Sequence, residues 1–211
     1  MIKTKQDRIL NTFDEMFPDA KCELLHDNNL ELLIAVMLSA QTTDESVNRL
    51  TRTLFKKYKT VEDYANAPIA DLESDIRSIG LFRNKAKNIK AMAKALQTRF
   101  NGVVPDSFDG LQSLPGVGRK TANVVMAEAF GYPSLAVDTH VARISKRLGF
   151  AKPDDSVLTI EKKLMKTIPK TRWIKTHHQM IFFGRYHCKA ISPNCKECPL
   201  IDICKEKNKK L

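Results

Sequence analysis

The chain has 211 residues, 43% hydrophobic and 7% aromatic, with 35 Lys and Arg against 24 Asp and Glu for a net charge of +11. That length and apolar content can bury one large core or two small ones, which excludes a disordered chain. The positive excess is the electrostatic footprint of a protein that binds a polyanion, nucleic acid first; charge scattered for solubility is the alternative that composition leaves open.

The opening MIKTKQDRIL lacks the apolar region of a signal peptide, and the longest uninterrupted apolar stretch, Leu32 to Leu38, is far too short to cross a bilayer. An intracellular protein is expected, cytoplasmic and nucleoid-associated in a prokaryote, with no membrane contact and with reduced thiols.

Glycine is sparse, alternating apolar and polar runs are nearly absent, and helical spacing recurs throughout, so an all-α fold is predicted. NNLELLIAVMLSAQ is apolar on nearly every side, the mark of a helix sheathed by others. Thr42 or Thr43 then caps a helix striped with Val47, Leu50, Leu54 and Phe55. Further helices are predicted at Thr60 to Asn66, Pro68 to Ser78, and Asn84 to Phe100, the last stopped by Asn101-Gly102. A short helix near Phe108 to Ser113 and one from Arg119 to Phe130 follow. The proline of YPSLAVDTH places a domain boundary near Gly131 to Pro133. Beyond it, helices are predicted at Val141 to Leu148, about Ser156 to Ile168, and Trp173 to Arg185, giving two lobes with a groove between them.

SIGLFRNKAKNI from Ser78 echoes SLPGVGRKTANV from Ser113, with Ser, an apolar residue, Lys, Asn and an aliphatic residue in register 35 positions apart. Both read as a tight turn feeding a helix, either a duplicated hairpin or a chance match. In LPGVGRKTANVV, Pro115, Gly116 and Gly118 permit positive φ and present backbone amides at a helix start, which suits a phosphate as well as an ordinary corner between helices. Lys120 follows. At a helix N-terminus, beside Arg119 and partly desolvated, its ammonium form is disfavoured and a nucleophilic amine becomes accessible; simple phosphate contact is the alternative role. In LAVDTHVARI, Asp138 is a candidate helper for that amine and equally a helix N-cap, and both roles can coexist on its two oxygens.

Four cysteines, Cys188, Cys195, Cys198 and Cys204, form a C-x6-C-x2-C-x5-C pattern. Four thiols so close together in a reducing compartment read as a metal site, with an iron-sulfur cluster ahead of zinc because only one C-x2-C knuckle is present and Pro199 follows a ligand. Arg185, Lys189, Lys196 and Lys205 surround the cluster as a basic loop for phosphate or as solvated surface charge, and no redox turnover follows from the pattern. Cys22 stands apart as a core or helix-start residue.

LLIAVMLSAQTTD, IGLFRNKAKNI, LPGVGRKTANVV, AVDTHVARI and the cysteine tail, in this order over almost the whole chain, resemble the endonuclease III family of the helix-hairpin-helix DNA glycosylase superfamily. The resemblance implies a six-helix barrel domain with a helix-hairpin-helix motif over residues 22–131. It implies a second domain from 1–21 with 132–211, holding a 4Fe-4S cluster in the loop 188–204, with DNA in the cleft between the two. It makes Lys120 the nucleophile and Asp138 its assisting carboxylate. Gln41 becomes the residue that fills the space of an extruded base, and Leu81 the wedge in the opened duplex. Leu114, Gly116, Val117, Gly118, Arg119 and His140 become DNA contacts. The activity implied is that of a DNA glycosylase and abasic-site lyase acting as a monomer on double-stranded DNA with oxidised pyrimidine or abasic lesions. An adenine-mismatch activity is disfavoured because such relatives carry a further C-terminal domain, for which no room remains after Leu211, and usually lack lysine at the position of Lys120.

Overall fold

Every regular element in the computed structural model, which describes residues 4–210, is helical. The first three residues expected in the 1–21 segment and the final residue of 132–211 lie outside the described residues. The chain forms two compact units, one from residues 23–132 and the other from the N-terminal segment up to Cys22 together with the chain from Pro133 onward.

In the first unit Asn28 starts α2 (Asn29–Leu38) by accepting the Glu31 amide at 3.0 Å. All seven residues from Leu32 to Leu38 are buried, so α2 is the hub predicted from its all-round apolar surface. Thr43 caps α3 (Asp44–Lys57), whose acidic first turn and basic last turn both suit the helix dipole. Thr60 and Asp63 form a reciprocal capping box on α4 (Val61–Asn66). The next helix, α5, covers only Ile69–Asp75. It stops before the predicted Ser78 because the chain turns to bury Ile76 and Ile79. Then α6 (Phe82–Phe100) ends where Asn101 and Gly102 take positive φ and the Gly102 amide returns to Leu96 O at 2.9 Å. The five-residue α7 (Phe108–Gln112) leads into α8 (Arg119–Phe130), which Gly131 closes. Around α2 pack α3, α6 and α8, with α4 and α5 on α6 and α7 on α8.

The second unit contains α1 (Lys5–Met16), α9 (Thr139–Leu148), α10 (Val157–Thr167) and α11 (Trp173–Phe182), with a 3-10 turn at Lys170–Arg172. Ile9, Phe13, Val141, Ile144, Leu164, Met180 and Phe183 meet in its core. At Phe183 the last helix departs from the α form predicted through Arg185. Residues Phe183–His187 make a π turn in which the Cys188 amide reaches back to Phe183 O at 2.6 Å. That wider turn delivers the chain into the cysteine loop.

Candidate active site and cysteine cluster

The turn between α7 and α8 is built by two buried apolar anchors. Leu114 is 2% exposed and Val117 6%, so their side chains face the core and only their backbone can meet DNA. Their amides are already used: Leu114 N–H donates to Leu111 O and Val117 N–H to Leu114 O, both at 3.1 Å. The Gly116 and Gly118 amides make no hydrogen bond among the described residues. Gly118 caps α8 without any side-chain acceptor, and no acidic residue stands in the first turn. Free amides, the positive end of the helix and the cations Arg119 and Lys120 thus collect on one corner, an anion site by elementary electrostatics. Arg119 lies over the Phe108 ring, 5.2 Å from its centroid.

Lys120 is exposed, so the partial desolvation expected from sequence is absent in the free protein. The side chain is open to approach, and only a bound substrate can strip its water.

Asp138 caps α9, with Oδ1 accepting the Val141 amide at 2.8 Å. Its other oxygen, Oδ2, makes no hydrogen bond among the described residues, which leaves a carboxylate oxygen for chemistry beside a capping role. His140, half-buried in the first turn of α9, has Nδ1 3.3 Å from Arg143 Nη2. Arg143 in turn donates to Gly184 O at 2.7 Å and to Cys188 O at 3.2 Å. His140 is therefore tied into the packing of its own unit.

Gln41 and Leu81 share an unusual conformation. Both are non-glycine residues at positive φ, +54° and +60°, and both are exposed, Leu81 by 53%. Leu81 is not the core leucine that its type suggests. A left-handed leucine costs about 1–2 kcal/mol, and an exposed apolar side chain held there has no packing to offset it.

The cysteine loop is pinned by short turns: Cys198 N–H to Cys195 O at 3.2 Å, Ile201 N–H to Cys198 O at 3.1 Å, and Lys205 N–H back to Arg147 O on α9 at 2.6 Å. Cys195 is 9% exposed and Cys188, Cys198 and Cys204 are half-buried. Burial pushes the Cys198 thiol up; a hydrogen bond from the Leu200 backbone opposes this, while the nearby Cys188, Cys204 and Cys195 add to it. All four sulfurs are thus electrostatic neighbours. Burial also raises Cys188, opposed by Arg147, whose Nη1 stands 3.3 Å from Cys188 Sγ. Four thiols within electrostatic reach of one another, with a guanidinium 3.3 Å from one of them, are the donor chemistry of a thiolate-bound iron-sulfur group. Among the described residues, no three His, Cys, Asp or Glu side chains gather closely enough to hold a single metal ion. Lys189, Lys196 and Lys205 are exposed around the loop, and Arg185 is half-buried. Cys22 lies in neither a core nor a helix start: it is half-buried in the irregular chain before Asn28, because α2 takes its cap from that asparagine.

Residues 34–170 match the HhH-GPD superfamily base excision DNA repair protein family. The chain belongs to that family. It is 56% identical to endonuclease III of Bacillus subtilis over 211 residues, all of this chain and 96% of the relative. It superimposes with a TM-score of 0.93, at 60% identity and 96% coverage of both chains, on a trapped endonuclease III–DNA covalent intermediate in an estranged-adenine complex. A thermostable thymine-DNA glycosylase shares the fold at a TM-score of 0.85 and 23% identity over 95% of each chain. The protein is a DNA glycosylase and abasic-site lyase of base excision repair, and DNA is its partner. Family identity points to an iron-sulfur cluster. No helix among the described residues is long and apolar enough to cross a membrane.

Sequence reasoning missed Arg143, Arg147 and Lys85. Only Lys85 left a usable signal, since it occupies the position of Lys120 in the 35-residue echo.

Proposed function

We propose that this glycosylase, a monomer on chromosomal DNA, removes oxidised pyrimidines with Lys120 as nucleophile and Asp138 as its helper. The observation that carries this reading is the exposed Lys120 amine on the same corner as the unpartnered Gly116 and Gly118 amides. A phosphate gripped there sets the adjoining sugar against the amine.

The amine lone pair bonds to C1′ as the C1′–N bond to the damaged base breaks, the base leaving with that electron pair and taking a proton from water. The Asp138 oxygen not used for capping stabilises the positive charge developing on the sugar and accepts a proton from the attacking amine. The nitrogen lone pair then breaks the C1′–O4′ bond, O4′ takes up the proton held by Asp138, and the resulting protonated Schiff base acidifies the C2′ hydrogens. Loss of a C2′ proton then expels the 3′ oxygen with its phosphate, and the strand is cut 3′ to the lesion. Arg119 neutralises phosphate, the backbone of Leu114 and Val117 shapes the turn, and His140 lines the start of α9. Gln41 fills the vacated base position and Leu81 wedges the stack, since a base must leave the helix before its sugar can be attacked. Cys188, Cys195, Cys198 and Cys204 would hold a 4Fe-4S cluster, which when bound cross-links the loop through metal–thiolate bonds.

The covalent intermediate of the 60% identical endonuclease III supports the route through an enzyme–DNA bond. The test is borohydride trapping on a thymine-glycol duplex. Wild type should form a covalent adduct and Lys120→Ala none; equal binding by both proteins with no adduct from either would leave only a nucleic-acid-binding role.

A further inference from the structure

Lys85 and Lys120 occupy equivalent positions in the two hairpin sequences, and the turns ahead of them match in conformation, Leu81 at φ +60° aligning with Gly116 at +77°. Their environments are opposite. Lys120 is exposed, whereas Lys85 is 6% exposed. The Lys85 backbone amide closes the first turn of α6 on Leu81 O at 3.0 Å. Its ammonium donates to Thr42 Oγ1 at 2.8 Å, across 43 residues of sequence. Thr42 directly follows Gln41 and itself closes a turn on Ser39 O at 3.1 Å. One residue therefore holds both exposed, positive-φ turns, by its backbone on one side and its side chain on the other.

Burying an ammonium with so few acceptors is costly, and a methionine of similar length would fill the same space without charge. Burial alone lowers the affinity of Lys85 for its proton, with no carboxylate acting to restore it. Packing does not explain a lysine here. A requirement for fixed geometry between two strained turns does.

We propose that Lys85 is a positioning residue that braces the turn of Gln41 against the turn of Leu81 and so sets the separation at which the two side chains enter opened DNA. The inference rests on the reading of Gln41 and Leu81 as the filling and wedging residues. It concerns the opening of a paired site, a demand that falls away when the base is already gone.

The experiment compares base release from a paired thymine-glycol duplex with cleavage of a preformed abasic site, and follows 2-aminopurine fluorescence beside the lesion as a measure of unstacking. Lys85→Met and Thr42→Val should each slow release from the paired lesion by on the order of tenfold or more, with a matching loss of the fluorescence rise and a far smaller loss on the abasic site. The double variant should be no worse than either single one, because both remove the same bond. Equal losses on the two duplexes, or additive losses in the double variant, would overturn the brace. Leu81→Ala and Gln41→Ala serve as references: if neither shifts the ratio of the two rates, the insertion reading fails and the brace with it. If both shift it while Lys85→Met does not, the brace alone fails. Should Lys85→Met not fold, Thr42→Val, at a half-buried position, decides the matter.

Discussion

Gly116 lies so close to Asn88 of α6 that a Cβ on it would stand 2.7 Å from Asn88 Cβ, and 3.0 Å from Met37 Cε on α2. The hairpin turn that carries the anion-binding amides is thus seated on the two central helices of its unit. Its conformation is fixed by packing as well as by φ.

Gly116→Ala should accordingly destabilise the protein by about 2–3 kcal/mol, through the left-handed backbone and the contact with the root of Asn88, which cannot swing away. Gly118→Ala is the control. Its φ is negative and a Cβ there would meet nothing within 4 Å, so its effect should stay near ~0.5 kcal/mol. Urea unfolding of both variants decides; equal stabilities would show that the turn is not seated as described.

Asp138 separates capping from chemistry. Asparagine caps about as well as aspartate, so Asp138→Asn should change stability by less than ~0.5 kcal/mol while slowing base release by on the order of a hundredfold. Asp138→Ala should also lose about 1 kcal/mol with the cap. Single-turnover rates beside unfolding midpoints test this, and full base release by Asp138→Asn would reduce the residue to a cap.

Asp14 on α1 ties α1 to α11, with Lys175 Nζ at 3.0 Å, Arg172 Nη2 at 2.9 Å and Gln179 Nε2 at 3.0 Å. Burial raises its carboxyl, but hydrogen bonds from Gln179, Lys175 and Arg172 outweigh it and hold the pKa at about 2. The folded value lies below the unfolded one of about 3.9, so the stabilisation is complete above that pH and fades as pH falls toward about 2. Asp14→Asn should cost ~1 kcal/mol at neutral pH, with the difference from wild type shrinking across that acid window. Urea midpoints over a pH series measure it; a constant difference would refute the assignment.

The cysteines should divide four to one. Cys195→Ser should purify with little iron or sulfide and lower the thermal midpoint by on the order of 10 °C, since a bound cluster contributes directly to folding. Cys22→Ser should retain both, and analysis of iron and sulfide with melting curves distinguishes the two. Retention of a full cluster by Cys195→Ser would remove that thiol from the ligand set.

Much of this was legible in the linear chain because it is local. Apolar spacing around Leu32 to Leu38, a threonine ahead of Asp44 and Asn101-Gly102 after Phe100 determine helices through interactions within a turn or two, and thiol spacing likewise shows where metal chemistry is concentrated. Other features depend on which distant side chains meet. Only the tertiary structure decided that Lys85 is buried and Lys120 exposed, although both follow similar turns, because the burial of Lys85 is tied to Thr42, 43 residues away. It also decided that Leu81 is exposed while Leu114, an apolar residue in the turn of the second hairpin, is anchored in the core. Sequence spacing specifies which faces a helix offers; what covers each face is set by packing between segments that no local pattern encodes.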